Sequence, residues 1–186
     1  MRRLGITILT LATLFALSCS EVNRDPSPVE LVATTSQDIT IVDLAGGEGC
    51  DQNLGTITLR AIQKNQNRDS TAFLAVDLER MRVSYVRTDG GTLVPASFVQ
   101  TIDGLIEVGT TGATLNDFIV FQNDALNQAP FAALFPQNGG FDPETGRQSV
   151  SLDVVVEIFG ETLGGDEVAA TTRFPLEFCY NCGGCR

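Results

Sequence analysis

The chain contains 186 residues, with 12 Lys and Arg against 23 Asp and Glu and no histidine, which gives a formal net charge of −11. The absence of histidine excludes Ser-His-Asp, Cys-His and histidine-metal chemistry, because these depend on the side chain that titrates nearest to neutral pH. An acidic surface repels nucleic acid and anionic lipid headgroups, so the composition excludes nucleic acid as a partner.

The N-terminal segment, residues 1–18, has the layout of a secretory signal peptide. Arg2 and Arg3 form a basic start, and residues 4–17 carry no charge. As a helix, this apolar run would span only about 21 Å, which is short of the roughly 30 Å hydrocarbon layer of a membrane. The sequence therefore predicts a signal that is removed after export.

The signal ends in Ala16-Leu17-Ser18-Cys19, which resembles the lipobox of bacterial lipoproteins. The resemblance implies that Cys19 is the lipid attachment site and that acyl chains such as palmitate hold the protein at a membrane. Two or more buried acyl chains anchor a protein stably. Ser20 implies that this membrane is the outer membrane. The protein would lie on either its periplasmic or its cell-surface face. The alternatives are secretion with a free Cys19, or a signal anchor.

The mature chain is predicted to begin with a lipidated flexible tether, residues 19–37, followed by a single domain, residues 38–186. The tether contains Asp25-Pro26-Ser27-Pro28, in which two prolines disfavour helix and extend the backbone. Removal of the two signal arginines leaves 10 of the 12 basic residues against 23 acidic ones, a formal net charge of −13.

Short alternating runs separated by turn residues predict strands throughout the domain. Ile57, Leu59 and Ala61 are expected to point inward from the second run, and the third run changes phase near Glu79 before a hairpin turn at residues 88–91. The predicted strands cover residues 39–44, 54–62, 73–87, 93–94, 104–108, 115–121, 150–159 and 168–178.

The last two runs predict an antiparallel hairpin, because apolar residues recur at every second position in both. Residues 160–165 are expected to form the turn between them. The residues expected on the buried face are Val150, Leu152, Val154, Val156, Ile158, Val168, Ala170, Phe174, Leu176 and Phe178.

One short helix is predicted near residues 129–135. Pro130 suits a first helical turn, and Phe131, Leu134 and Phe135 would share one face. Together with Phe141, these aromatic residues either plug the open end of a sandwich or form an exposed patch for a partner.

About seven strands without a long helix predict an all-β protein in which two sheets pack face to face. The expected architecture is an immunoglobulin-like antiparallel β-sandwich. Residues 78–91, the Phe174-Pro-Leu-Glu-Phe-Cys179 ending and the lipobox together resemble uncharacterised bacterial outer-membrane lipoproteins that carry such a domain. This resemblance implies a fold and an envelope location, and it brings no known activity.

With Cys19 assigned to lipid, four of the five cysteines remain, and an even number in an oxidising compartment predicts disulfide bonds. They are Cys50 and the tail cysteines Cys179, Cys182 and Cys185. In an immunoglobulin-like sandwich the later half of the first strand runs parallel to the last strand. We therefore expect Cys50 to bridge to one tail cysteine and the other two to close a small ring. The alternatives are a metal or iron–sulfur site and a redox-active C-x-x-C pair.

Two groups of polar residues are further candidates for binding. Asp43, Glu48 and Asp51 would suit a calcium-binding loop, although an acidic solvated turn is the simpler interpretation, as it is for Asp166 and Glu167. A sugar-binding loop would use Asn116, Asp117, Asn123 and Asp124, which are also ordinary turn formers.

No catalytic constellation emerges from these residues, and no cofactor is predicted. The leading hypothesis is a non-enzymatic, membrane-anchored module of the cell envelope, structural or binding, with a protein or glycan partner. One alternative is a carboxylate-based envelope enzyme such as a glycan hydrolase, which would need two carboxyl groups facing each other across a cleft. Another is a metal or redox protein that uses the C-terminal cysteines.

Overall fold

A computed structural model describes residues 27–36, 41–45, 56–109, 112–116 and 118–183. Within these ranges the protein is all-β, and its only helices are short 3-10 turns. The strands are β1 (Val29–Ser36), β2 (Ile41–Asp43), β3 (Thr56–Gln63), β4 (Val76–Arg87), β5 (Phe98–Ile106), β6 (Ala113–Leu115), β7 (Ser149–Thr162) and β8 (Glu167–Cys179).

The strands form two sheets, one of order β1-β3-β6 and one of order β2-β8-β7-β4-β5. All neighbours are antiparallel except β2, which pairs in parallel with β8. This order corresponds to an immunoglobulin-like sandwich, in which the first strand is divided between the sheets and its later part runs beside the last strand. The predicted fold class is thus confirmed.

The β7–β8 hairpin supplies much of the core. Every residue predicted to face inward from these two strands is buried, because the period-two alternation places all of them on one face. The turn is shorter than predicted, since β7 continues to Thr162 and the chain reverses over residues 163–166. Gly160 lies inside β7, where a Cβ atom would approach the Asp77 carbonyl oxygen to 2.4 Å.

The phase change predicted near Glu79 is a β-bulge. The register of β4 shifts between Leu78 and Arg80 against both β5 and β7. After the bulge Met81, Val83 and Tyr85 are buried, as their alternation predicts. A bulge re-aims the side chains that follow it, so the two halves of β4 can both direct apolar residues inward.

The assignment of residues 29–36 to the tether is wrong, because they form β1, an edge strand paired along its whole length with β3. Val29 and Leu31 are fully or almost fully buried. The polar end of the strand, from Thr34 to Ser36, conceals the pattern in the sequence. Residues 19–26 and 37 of the predicted tether lie outside the described residues.

Three other predicted elements differ from the structure. Residues 93–94 form no strand, because the Leu93 N–H is donated to Glu144 and Pro95 has no N–H to donate. The apolar run 115–121 has only its first residue in β6, and Phe118, Val120 and Phe121 are buried in a connection. The strand predicted at 104–108 overlaps only the last three residues of β5, which begins at Phe98.

The helix predicted near residues 129–135 is a single 3-10 turn, Phe131–Leu134, and not an α-helix. Pro136 explains its length, because the residue before a proline avoids the helical region and Phe135 is extended. Phe131 and Leu134 are buried. The Phe131 ring lies 4.2 Å from that of Phe178, so this turn plugs one end of the sandwich.

Candidate functional site

Three strand ends bring polar groups together at one end of the sandwich. Asp43 ends β2 and pairs with Cys179, which ends β8 and pairs with Ser149 at the start of β7. Arg87 ends β4 beside Leu152 of β7. We call this the cysteine end. It joins the C-terminal tail to the two long connections 88–97 and 135–148.

A disulfide bond between Cys179 and Cys182 closes the small ring predicted for the tail, with a Cα–Cα distance of 6.0 Å. Cys179 is buried and Cys182 is exposed. Cys50 and Cys185 lie outside the described residues, so the predicted bridge from Cys50 to the tail stays a prediction. The parallel β2–β8 pairing on which that prediction depends is present.

Asp43 holds the ring against the sandwich. Its Oδ1 accepts hydrogen bonds from the backbone N–H groups of Ala45 and Asn181, and its Oδ2 accepts one from Gly183. Burial acts to raise the pKa of the Asp43 carboxyl, but these donors outweigh it and hold that pKa below its ordinary value. Such a carboxylate fixes the tail in place.

The interpretation of this region as an acidic solvated turn is therefore wrong for Asp43 itself. The residue is only 8% exposed and its carboxylate is occupied by donors, which leaves it poorly placed to bind calcium. Glu48 and Asp51 lie outside the described residues. Among the residues that the structure describes, no group of three acidic or cysteine side chains converges to hold a metal ion.

The second polar feature of the cysteine end is a buried arginine between two aspartates. The Arg87 Nε lies 2.8 Å from Asp89 Oδ1, and its Nη2 lies 2.7 Å from Asp142 Oδ2. All three side chains are at most 1% exposed. Asp89 also accepts backbone N–H groups from Gly91 and Ser151, so it links β4 to β7.

These contacts set the charge states of the aspartates. Burial acts to raise the pKa of Asp89, but the Arg87 guanidinium and two backbone donors lower it to about 2. Burial also acts to raise the pKa of Asp142, but the hydrogen bonds from Thr145 and Arg87 outweigh this effect, so that pKa is below its ordinary value. The pKa of Arg87 is raised because its two aspartate partners overcome the effect of burial. All three groups are ionised at neutral pH.

Glu144 extends this cluster to the connection 88–97. Its Oε2 accepts the backbone N–H groups of Thr92 and Leu93, and its Oε1 accepts the Thr92 hydroxyl. The donors from Leu93 and Thr92 hold the pKa of Glu144 below its ordinary value. We call Arg87, Asp89, Asp142 and Glu144 the arginine cluster. It fastens the two connections of the cysteine end to each other and to β4.

The chemistry open to these groups follows from their protonation. A general acid for glycoside cleavage needs a carboxyl group with a raised pKa, whereas the pKa values of Asp43, Asp89, Asp142 and Glu144 are all lowered. These four carboxylates therefore bind hydrogen-bond donors and do not donate protons at neutral pH.

The disulfide ring also differs from the usual setting of a reactive cysteine pair. A reactive thiolate is stabilised by a helix N-terminus or a neighbouring cation. Cys179 is instead the last residue of a strand, and among the described residues the Asp43 carboxylate contacts the ring through its bonds to Asn181 and Gly183. A negative charge disfavours a thiolate.

The sequence interpretation missed the arginine cluster, although one signal was present. Met81, Val83 and Tyr85 point inward, and the same alternation places Arg87 inward. An arginine at an inward position requires buried carboxylates. Asp89 was interpreted only as a turn residue, and Asp142 and Glu144 were not singled out.

The remaining candidate residues are dispersed. Phe131 is buried in the plug, Phe135 packs edge-on against Tyr180, and Phe141 is 50% exposed. Asp166 forms hydrogen bonds with Thr162 in the β7–β8 turn. Asn116 directly follows β6 and Asp124 lies in a 3-10 turn of the same connection, while Asp117 and the Asn123 side chain are outside the described parts. The predicted sugar-binding loop therefore stays a prediction.

An open groove of about 490 Å³ lies at the opposite end of the sandwich, between the end of β3 and residues 108–109. Its lining includes Gln63, Ser70 and Val108, and none of the described residues that line it is acidic. In the described part of the chain, none of the helices is long and apolar enough to cross a lipid bilayer.

Comparison with known proteins adds no relative. No protein-family model matches the chain, and no match was found among curated proteins or solved structures.

Proposed function

We propose that this protein is a lipoprotein of the bacterial outer membrane, anchored through Cys19, whose sandwich serves as a non-enzymatic structural or binding module with a protein or glycan partner. One observation carries the proposal: the chain enters the sandwich at the end opposite to the cysteine end. An anchor before the domain would thus leave the arginine cluster and the disulfide ring on the side away from the bilayer.

The direction of entry follows from two contacts. The Lys64 N–H donates to the Pro28 carbonyl, so the start of β1 lies beside the end of β3. A bridge between Ala61 and Val108, just past the end of β5, then places the end of β3 beside Val76, which starts β4. Arg87 lies at the other end of β4, about 35 Å away at roughly 3.3 Å per residue.

The tether is shorter than the sequence interpretation supposed, because β1 begins at Val29. Ser27 lies eight residues after Cys19, a distance along the chain that reaches at most about 29 Å. An anchor at Cys19 would therefore keep the sandwich near the membrane, with its long axis able to project the cysteine end outward.

The cysteine end is suited to contact a partner. The connections 88–97 and 135–148 are long, and binding residues are frequently carried on such loops over a rigid scaffold. Their backbone is held by the arginine cluster, so little conformational entropy would be lost on binding. Leu93, Val94 and Phe141 on these loops are 46%, 39% and 50% exposed, which offers apolar contact area beside fixed charges.

A thiol-exchange protein is the second candidate, because Cys182 is exposed at the disulfide ring. The two candidates differ in the redox state expected for the ring in protein recovered from the cell envelope. A structural ring would stay oxidised in the mature protein, whereas an exchange protein would be recovered with a mixture of thiols and disulfides from the cell envelope.

The anchor is tested by metabolic labelling with a fatty-acid probe. We expect label on the wild-type chain and none on Cys19→Ala, while Cys182→Ser serves as a control for labelling of other cysteines. Mass spectrometry of the mature N-terminus should give a diacylglyceryl cysteine at position 19. Equal labelling of wild type and Cys19→Ala would contradict the proposal.

The partner is tested by photo-crosslinking in intact cells. A photoreactive residue at Val94 should give discrete adducts, while the same residue at Thr171, on the outer face of β8, serves as the control. A glycan partner would appear as retention on isolated cell-wall or surface polysaccharide that Val94→Lys abolishes. Equal crosslinking from the two positions would contradict the assignment of the cysteine end as the contact surface.

A further inference from the structure

The strand β5 (Phe98–Ile106) is the last strand of the five-stranded sheet. Among the described residues it pairs only with β4. Natural proteins usually protect such an edge with lysine, proline, a β-bulge or a very short strand. The register shift between β4 and β5 lies opposite Ile102 and Asp103. β5 has nine residues and contains neither lysine nor proline, and Asp103 is its single charge.

The side chains of β5 alternate without interruption along the strand. Val99, Thr101, Asp103 and Leu105 are exposed, whereas the residues between them are partly or fully buried. Val99 is 60% exposed and Leu105 is 54% exposed. The alternation of β5 thus continues past the register shift, which allows another strand to pair with it, and two large apolar side chains lie on its exposed face.

The strand is also chemically palindromic about Ile102. If a second β5 paired with it antiparallel and Ile102 faced Ile102, Val99 would lie opposite Leu105 and Thr101 opposite Asp103. On the inner side Phe98 would lie opposite Ile106. Each pairing occurs twice, so apolar residues face apolar residues and the single acid faces a hydroxyl. Moving the register by two residues places Val99 opposite Asp103, or Asp103 opposite Asp103.

Charge complementarity selects the same register. Arg80 is the β4 neighbour of Thr101 on the outer face, so the row would run from Arg80 through Thr101 to Asp103 of the second copy. Two strand spacings amount to roughly 10 Å between backbones, which an extended arginine and an aspartate can bridge. In the single chain Arg80 contacts Glu79 at 3.6 Å and lies over the Phe159 ring.

We propose that β5 is a homodimerisation edge, at which two copies join their five-stranded sheets around a two-fold axis through Ile102. The interface is isologous, as a two-fold interface must be. Its main-chain hydrogen bonds supply the association, and the Val99–Leu105 and Arg80–Asp103 pairs fix the register. The inference does not depend on the lipid anchor or on the partner of the cysteine end.

The test is sedimentation velocity of the full chain, purified as the cell produces it and held in one detergent throughout. Wild type should shift from monomer to dimer as its concentration rises. Arg80→Glu and Asp103→Lys should each weaken the dimer roughly tenfold, because each places like charges together at two symmetric positions. Arg173→Glu and Asp153→Lys, on the same face but away from β5, should leave it unchanged.

Mixing the two variants separates this interface from any other. In a heterodimer the glutamate introduced at position 80 of one copy would face the lysine introduced at position 103 of the other. The second pair would be the native one, Arg80 with Asp103, so the mixture should form a dimer that is tighter than the dimer of either variant alone. Recovery of the dimer on mixing also shows that both variants are folded.

Amide hydrogen exchange gives an independent readout of the same edge. Exchange over residues 98–106 should slow as wild-type protein is concentrated, because the second copy would protect the open side of β5. A monomer at every concentration, or a dimer indifferent to residues 80 and 103, would overturn the proposal.

Discussion

Gly91 packs against the guanidinium group of Arg87, and a Cβ atom at position 91 would lie 2.5 Å from Arg87 Cζ. The end of an arginine side chain can usually move aside. Here it cannot, because Asp89 and Asp142 hold it on two sides. The arginine cluster therefore requires glycine at position 91.

Gly91→Ala is expected to destabilise the protein by about 1–3 kcal/mol, the usual cost of adding a methyl group to a tightly packed site. Gly104→Ala is the control, because its nearest neighbour, Leu78 Cδ1, would be 3.6 Å from the new Cβ atom. Urea unfolding of the two variants measures the difference. Equal unfolding free energies would show that Arg87 can move aside without a loss of stability.

Arg87→Met should cost roughly 3–5 kcal/mol, because it leaves Asp89 and Asp142 buried without their cation. Arg82→Met is the matched control. It also removes an arginine of β4 that is paired with an acid, Glu157, but its side chain is 49% exposed, so we expect at most about 1 kcal/mol. Similar losses for the two variants would refute the assignment of Arg87 as a buried structural ion.

Acid should weaken the fold through Asp89. The folded-state pKa of about 2 lies below the ordinary value of 3.8, so the unfolded chain binds a proton first as the pH falls. The stability due to Asp89 is complete above about pH 4 and is lost as the pH falls toward 2, and it amounts to roughly 2 kcal/mol.

Urea unfolding between pH 6 and pH 2 checks this expectation. In Arg87→Met the burial of Asp89 is no longer offset by the guanidinium, so the acid-dependent loss attributable to Asp89 should shrink. A wild-type unfolding free energy that stays constant from pH 4 to pH 2 would contradict the lowered pKa.

The orientation of the proposed lipoprotein can be measured because the chain has no tryptophan. Phe73 is 70% exposed just before β4, and Phe141 is 50% exposed at the cysteine end. With the lipidated chain in vesicles that contain brominated lipid, Phe73→Trp fluorescence should be quenched more than Phe141→Trp fluorescence.

Cys19→Ala combined with either tryptophan separates two failures. Quenching that is lost with Cys19 but is equal at both positions would refute the orientation and leave the anchor standing. Quenching that is unchanged by Cys19→Ala would refute the anchor itself.

Local patterns in the sequence identified most of the core strands. The alternation in β7, in β8 and in the second half of β4 predicted which residues are buried, because a strand places successive side chains on opposite faces whatever its neighbours are. The change of phase near Glu79 likewise marked the bulge. β1 escaped notice since its inward pattern lasts only from Val29 to Leu31 before the strand turns polar.

Positions without a local signal were misjudged. Gly160 resembled the start of a turn, but it lies within β7, where the bulged β4 backbone leaves no space for a side chain. Leu93 resembled a strand residue, but its N–H is taken by Glu144. In both places a residue distant in the sequence decides the outcome.

The sequence by itself determined the all-β class, the two-faced strands and the pairing of the last two into a hairpin, because these follow from side-chain periodicity and short-range turns. Only the tertiary structure decided that Arg87 meets Asp142, 55 residues away, and that Asp43 binds the tail, about 140 residues away. Ion pairs and hydrogen bonds act over a few ångströms, and only the topology of the sheets brings such distant groups within that range.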